Sequence, residues 1–256
     1  MSFKLSRIAA KFNHGQWNIH KFGYDENGKF VKSVDKYRDY FFYDYNHIQD
    51  LDDSRAFDIG DDTIFKTLYG EMVQKVYYNS IKAKNKLDKE NKNKVFQSDV
   101  KPEFKYVLDN NLEWSDKRHI MYYDIETWYD PEDSSMNKPE KAQMPITALV
   151  AYSTEKDRYF VFSWHPTKTA GYDEPKMTDK DNVSYIFTKT EEEMIMGFLN
   201  LVRVSNVDIL SGWYSNGFDM PYIINRCKVL GLPAEMLSPV DDIYIRKRGE
   251  FWRIKS

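Results

Sequence analysis

Alternating apolar and polar positions near the start of the chain predict a β-hairpin. Residues 16–24 alternate imperfectly, residues 25–28 (Asp-Glu-Asn-Gly) provide a turn signal, and residues 29–32 resume the extended pattern. Aromatic residues then crowd the segment 37–45. The first part of the chain is therefore predicted to be rich in strands.

A lysine run precedes the predicted boundary between two domains. Residues 82–94 hold six lysines against Asp88 and Glu90, without apolar periodicity, which predicts a flexible, solvated connection. Contact with the phosphates of a polyanion is the alternative interpretation of these lysines. We place the first domain at 1–115 and the second at 116–256.

Strands and helices interleave in the second domain. A capping box, Thr190 followed by Glu193, opens one predicted helix, and Gly231 and Pro233 end a second one. The predicted strands are 119–127, with 146–152 and 158–164 as its neighbours, and 207–213. The expected fold class is α+β, with a strand-rich N-terminal domain followed by an α/β domain.

Composition restricts the classes of protein that the chain can belong to. Its 256 residues include 37 Lys plus Arg and 40 Asp plus Glu, a net charge of -3, so any nucleic-acid contact must be local. The single cysteine, Cys227, excludes an internal disulfide and a cysteine-based zinc site, and we expect it in the core. No apolar run approaches ~18 residues and no secretory signal is present, so we expect a soluble, cytoplasmic protein without a membrane partner.

Two carboxylates fall on one face of the strand predicted at 119–127. Asp124 and Glu126 are two residues apart, so their side chains leave the same face roughly 6.5 Å apart, while Tyr123 and Ile125 point the other way. A strand end that is open to water is one explanation. The other is a site for hard divalent cations, which would neutralise the repulsion between the two groups.

A third carboxylate stands at the opening of the last predicted helix. Asp219 follows a strand and the flexible Gly217, where the helix dipole favours a negative group. It could be an ordinary acidic residue at a helix start, with Asn216 as the cap. It could also join Asp124 and Glu126 in a two-metal centre for phosphoryl chemistry.

These residues resemble a known family. The segment Tyr123-Asp124-Ile125-Glu126-Thr127 resembles the first exonuclease motif of family B DNA polymerases. Residues 212–226, Gly-Trp-Tyr-Ser-Asn-Gly-Phe-Asp-Met-Pro-Tyr-Ile-Ile-Asn-Arg, resemble the second motif and are most similar to the polymerases of T-even-type tailed phages. The resemblance implies an N-terminal domain followed by an RNase H-like 3′→5′ proofreading exonuclease domain, here incomplete.

The resemblance also implies roles for individual residues. Asp124 would bridge two divalent cations, Mg²⁺ or Mn²⁺, Glu126 would hold the ion that activates water, and Asp219 would serve the second ion. Phe218, Asn216 and Thr127 would contact the terminal nucleotide of the DNA. For Phe218, a place in the core is the alternative.

The sequence departs from the family pattern in three places. The third exonuclease motif, a Tyr with an Asp four residues later, is absent, because Tyr222 and Tyr244 are followed four residues on by Arg226 and Arg248. Tyr214 stands where the family usually has Asn. The polymerase palm motifs are also absent. We therefore expect this chain alone to bind metal weakly and to hydrolyse DNA slowly or not at all.

The implied partners are those of a replicative DNA polymerase. They are single-stranded and primer–template DNA, the remaining polymerase portion in the same gene or in a second chain, and a sliding clamp. A different hypothesis is a non-catalytic nucleic-acid-binding subunit of a split polymerase, in which aromatic side chains stack on bases and the lysines of 82–94 hold phosphates.

Overall fold

The fold is known from a computed structural model that describes residues 3–51, 55–129, 131–132, 137–165, 176–248 and 251–255. It is a mixed α+β fold rich in strands, as the sequence predicts. The chain divides into two compact units, Met1–Asp116 and Lys117–Ser256.

The first unit contains two four-stranded sheets, with strand orders β3-β2-β1-β8 and β5-β6-β4-β7. The strands are β1 Lys4–Asn13, β2 Gln16–Tyr24, β3 Phe30–Tyr37, β4 Tyr40–Asp44, β5 Phe57–Lys66, β6 Met72–Tyr78, β7 Val95–Phe96 and β8 Glu113–Trp114. Strands β2 and β3 pair antiparallel around the turn at 25–28, which confirms the predicted hairpin. Four buried side chains form the core of the second sheet: Phe41, Tyr43, Val76 and Tyr78.

The lysine run is not a flexible connection as predicted, because most of it forms a helix. Helix α1 covers Ile81–Glu90 and is capped by the Ser80 hydroxyl. Lys84 is buried, and its ammonium donates to Asp88 at 3.1 Å and to the Ser98 carbonyl at 2.6 Å. A long lysine side chain can bury its methylene groups while its ammonium keeps polar partners. The polar sequence therefore does not reveal that Lys84 lies on the buried face of this helix. Helix α2 follows at Pro102–Asp109.

The second unit is built on one six-stranded sheet with the order β12-β13-β11-β10-β9-β14. The strands are β9 Ile120–Thr127, β10 Ile146–Ser153, β11 Arg158–Ser163, β12 Lys176–Lys180, β13 Val183–Phe187 and β14 Ile209–Ser211, and a separate hairpin joins β15 Tyr244–Arg248 to β16 Phe251–Lys255.

The neighbours of β9 are only partly those predicted. Strand β10 pairs with it antiparallel, as expected, and β14 pairs with it in parallel on the other side. The expectation that β11 also lies beside β9 is wrong, since β11 pairs with β10 and β13. A strand has only two edges, and the short β14 takes the second one.

Two helices pack on one face of this sheet and bury its core. Helix α3 covers Glu191–Val204 behind the predicted Thr190 cap, and α4 covers Asp219–Leu230 and ends at Gly231 in the left-handed conformation, φ 69°. Met194, Phe198 and Ile223 are fully buried between the helices and the strands. The opposite face of the sheet carries the exposed positions of β9.

The expected core position of Cys227 is confirmed, because its side chain is fully buried in α4. In the described part of the chain, no helix is long and apolar enough to cross a membrane.

Candidate active site

The acidic residues of β9 stand on the uncovered face of the sheet. Along β9, Tyr123 and Ile125 are buried while Asp124 and Glu126 are exposed, so the two carboxylates share one face. Asp124 lies opposite Val150 and Glu126 opposite Ala148 on the neighbouring strand. Neither cross-strand partner carries a charge, so the sheet does not neutralise the acidic pair.

The turn between β14 and α4 brings Asp219 to β9. A Cβ atom on Gly212 would lie 2.5 Å from the Tyr123 carbonyl oxygen, so a glycine is required for this close approach. The Ser215 and Tyr123 hydroxyls then hydrogen-bond at 2.5 Å. Helix α4 begins at Asp219 directly after this turn.

Asp219 is buried and lies in the electrostatic field of the other two carboxylates. It is 4% exposed, and burial raises the pKa of its carboxyl. The negative charge of Asp124, and to a smaller extent that of Glu126, raises this pKa further. Hydrogen bonds with the backbone of Asp219 itself and of Ile125 oppose the increase. The fold therefore couples the three acidic residues, although Asp219 is far from the other two in sequence.

The donor chemistry of these residues fits a hard divalent cation. Mg²⁺ and Mn²⁺ prefer carboxylate oxygens, and a cation would relieve the repulsion that raises the pKa of Asp219. Among the residues that the structure describes, no group of three or more His, Cys, Asp or Glu side chains is arranged to hold a metal ion. The three carboxylates are thus coupled without forming a closed set of ligands.

The other predicted site residues lie around this centre in different settings. Thr127 ends β9, and its hydroxyl accepts a 3.0 Å hydrogen bond from Asn137. Phe218 is half-buried, packs on Tyr222 with ring centroids 5.3 Å apart, and occupies the N-cap position of α4. The suggestion that Asn216 caps α4 is therefore wrong, and the N-cap makes no side-chain hydrogen bond.

Asn216 lines a separate groove, of about 390 Å³, together with Tyr214 and Trp252. The Tyr214 ring covers Gly217, where a Cβ atom would lie 2.2 Å from the ring. Tyr214, which departs from the family pattern, thus shapes the turn that leads into α4. Its carbonyl also accepts hydrogen bonds from the backbone N–H groups of Gly217 and Phe218, at 2.9 and 2.8 Å.

A buried ion pair that sequence reasoning missed holds α4 in place. The Arg226 guanidinium donates to both oxygens of Glu191, at 2.8 and 2.6 Å, and to the carbonyls of Ala142 and Gln143. One Glu191 oxygen also accepts the Ile146 backbone N–H at 2.7 Å. An arginine beside the apolar residues Ile223, Ile224 and Cys227 is a signal in the sequence, but its partner cannot be read from spacing.

Comparison with known proteins adds a family match. Residues 72–245 match the family described as DNA polymerase family B, exonuclease domain. The DNA-directed DNA polymerase of Enterobacteria phage T4 is 32% identical over 108 residues, which cover 36% of this chain and 12% of that protein. The corresponding enzyme of Escherichia phage RB69 is 30% identical over 141 residues, covering 48% and 15%.

Similar proteins are not restricted to phages. A DNA polymerase of Pyrococcus glycovorans is 26% identical over 141 residues, which cover 54% of this chain and 16% of that protein. The family B DNA polymerase structure from Pyrobaculum calidifontis superposes with a TM-score of 0.65 at 17% identity, covering 99% of this chain and 35% of that one. This chain thus spans a small part of the length of its relatives, and their range does not single out the T-even phages.

Proposed function

Because the chain belongs to the exonuclease-domain family of family B DNA polymerases, we propose that its second unit carries the acidic centre of a 3′→5′ proofreading exonuclease. The observation that supports this function best is the coupling of Asp219, at the first residue of α4, to Asp124 and Glu126 on β9. In this proposal the first unit is the N-terminal domain of a replicative DNA polymerase, of the T-even phage type, that acts in the host cytoplasm.

Each carboxylate has a distinct part in the proposed reaction. Asp124 would help to hold both Mg²⁺ or Mn²⁺ ions, Glu126 would help to hold the ion that activates water, and Asp219 would help to hold the ion that stabilises the departing 3′ oxygen. Two such ions, when bound, activate a water and stabilise the leaving oxygen of an in-line displacement. The buried Tyr123 hydroxyl and Ser215 keep the α4 turn against β9, so that Asp219 faces the strand.

The motif resemblance implies a further carboxylate that Asp124, Glu126 and Asp219 do not supply. In one of the two pairs named above, both residues have structural roles: the Tyr222 hydroxyl donates to the Met144 carbonyl at 2.7 Å and Arg226 pairs with Glu191. We propose that the remaining polymerase portion supplies the missing acid, and that a sliding clamp and primer–template DNA are partners of the complete assembly.

The terminal nucleotide would lie between β9 and the α4 turn. Thr127 follows Glu126 at the end of β9, Phe218 directly precedes Asp219, and Asn216 lies in the same turn. Phe218 is half-buried, and its ring packs at a tilt against Tyr222. We propose that these three residues position the 3′ end for hydrolysis.

Nucleotide release from 3′-labelled single-stranded DNA tests this function. With the chain in excess, in Mg²⁺ and in Mn²⁺, we expect slow release from the 3′ end that EDTA and Asp124→Asn abolish. A complete family B polymerase serves as the reference for full rate. Release at that full rate would contradict the need for a further carboxylate. Release that Asp124→Asn does not reduce would contradict the proposed centre.

A non-catalytic nucleic-acid-binding subunit is the second candidate, and the arrangement of α1 favours it. Lys82, Lys86 and Lys89 are exposed at a spacing that places them along one side of the helix. If this candidate is correct, DNA binding falls steeply with salt, Lys82→Ala and Lys89→Ala weaken it, and Asp124→Asn changes neither binding nor any nuclease activity.

A further inference from the structure

The sheet face next to the acidic centre contains a groove lined by aromatic side chains. We call it the tyrosine groove and define it by Tyr122, Asp124, Tyr152, Tyr159, Gly212 and Trp213. Its volume is about 480 Å³, which is within the range of sites that bind small organic groups. None of its aromatic residues has a part in the function proposed above.

Strand register places three of these tyrosines in one row. Tyr122 on β9 lies opposite Tyr152 on β10, and Tyr152 lies opposite Tyr159 on β11. The Tyr152 and Tyr159 rings are 4.7 Å apart between centroids, at 42° to each other. Adjacent strands are ~4.8 Å apart, so the row forms a continuous aromatic surface across three strands.

The surface is open and its central ring is held in position. Tyr122 is 48% exposed and Tyr159 42% exposed, and Trp213 at one edge is fully exposed. The Tyr152 hydroxyl donates to the Asp157 carboxylate at 2.7 Å, which fixes the ring without covering its face. A flat ring that is oriented before binding loses little conformational entropy when a second flat ring stacks on it.

The distance between this row and the acidic centre suits a nucleic-acid strand. Tyr122 precedes Asp124 by two residues on the same face of β9, about 6.6 Å along the strand. Successive phosphates of one strand are ~3.4 Å apart along duplex DNA and farther apart in an extended single strand. A strand whose scissile phosphate lies at Asp124 therefore has a base over the tyrosine row within about two nucleotides.

We propose that the tyrosine groove binds a base of single-stranded DNA by stacking, next to the scissile phosphate. The inference rests on the proposed exonuclease function, since it continues the substrate path from Asp124. Every base has a π face, so stacking on tyrosines tolerates any sequence, as removal of an arbitrary 3′ nucleotide requires. The groove thereby orients the DNA strand without recognising its base sequence.

Binding without hydrolysis tests this proposal. Fluorescence anisotropy with a 5′-labelled oligonucleotide in EDTA measures affinity alone, and a second oligonucleotide with abasic sites at its last three positions serves as the comparison. We expect Tyr122→Ala and Tyr159→Ala to weaken binding of the first probe about tenfold and to leave binding of the abasic probe unchanged. Tyr122→Phe, which keeps the ring, should bind like the wild type.

The control is Tyr69→Ala, because Tyr69 is 92% exposed in the first unit and should not affect binding. Thermal unfolding of each variant verifies that it is folded. Equal binding of the two probes by the wild type, wild-type affinity in both alanine variants, or no measurable binding would overturn the proposal. Base-dependent binding that requires Tyr122, together with nucleotide release that Asp124→Asn does not reduce, would leave the groove established and refute the proposed exonuclease centre.

Discussion

Gly212 packs directly against the carbonyl oxygen of Tyr123, so closely that a Cβ atom would lie 2.5 Å from it. This contact sets the distance between the turn before α4 and strand β9. It therefore determines where Asp219 stands relative to the carboxylates of β9, whose charges raise the pKa of Asp219. One backbone contact between the turn and β9 thus controls the geometry of the acidic centre.

We expect Gly212→Ala to weaken metal binding at the acidic centre by more than its loss of folding stability accounts for. The added methyl group must displace the turn from β9, at a cost of about 1–3 kcal/mol, and Asp219 moves with it. The matched control is Gly231→Ala at the other end of α4, where the positive φ of 69° makes alanine unfavourable by about 1–2 kcal/mol.

The two glycine variants should unfold at similar denaturant concentrations, but only Gly212→Ala should lose Mn²⁺ binding. Equal Mn²⁺ binding by the two variants would show that the Gly212 contact does not position Asp219.

The buried pair of Arg226 and Glu191 should be among the most sensitive positions for stability. Arg226→Ala leaves the Glu191 carboxylate, 4% exposed, without its cation, which costs about 3–5 kcal/mol. Arg38→Ala removes a solvent-exposed pair with Asp58 at 2.9 Å and should cost less than about 1 kcal/mol. Chemical unfolding measures both, and a small loss for Arg226→Ala would refute this role.

Cys227 should not react in the folded protein. Its side chain is fully buried, and burial raises the pKa of the thiol to about 12, so almost no thiolate is present at pH 8. We expect a thiol reagent to label it only after unfolding, whereas a second cysteine introduced by Val204→Cys, at a 70% exposed position, reacts at once. Rapid labelling of the native wild type would contradict the core position.

Acid should weaken the first unit partly through Asp35. Lys21 and Tyr106 donate hydrogen bonds to its carboxylate, and these bonds lower its pKa. A carboxyl with a lowered folded-state pKa stabilises the fold above its unfolded-state pKa, and this contribution is lost as the pH falls through the folded-state value. Asp35→Asn should therefore be less stable than the wild type near pH 7, with a difference that shrinks below about pH 4. A constant difference from pH 7 to pH 2, or one equal to that of the exposed control Asp62→Asn, would refute the role of Asp35.

Local patterns in the sequence were sufficient for much of the fold. The hairpin of β2 and β3, the Thr190 cap of α3 and the Gly231 end of α4 each depend on neighbouring residues only. Helix α1 was missed because its buried Lys84 is satisfied by Ser98, a partner that sequence spacing does not reveal.

Part of the candidate site was predictable because it, too, depends on local sequence patterns. Strand alternation alone places Asp124 and Glu126 on one face, and a motif resemblance adds Asp219. The tyrosine row can be recognised only when the register between β9, β10 and β11 is known. The prediction that β11 lies beside β9 is wrong, and it does not place Tyr159 next to Tyr152. Tertiary pairing, rather than local propensity, therefore determines what surrounds Asp124.

Manganese binding tests most directly the central claim that β9 and α4 form a shared metal site. It can be measured without catalysis, and therefore without the further carboxylate. Electron paramagnetic resonance of free Mn²⁺ measures how much metal each variant binds. We predict weak binding by the wild type, retained in Asp62→Asn and lost in Asp124→Asn and in Asp219→Asn. Equal Mn²⁺ binding by all four proteins would contradict a shared metal site formed by β9 and α4.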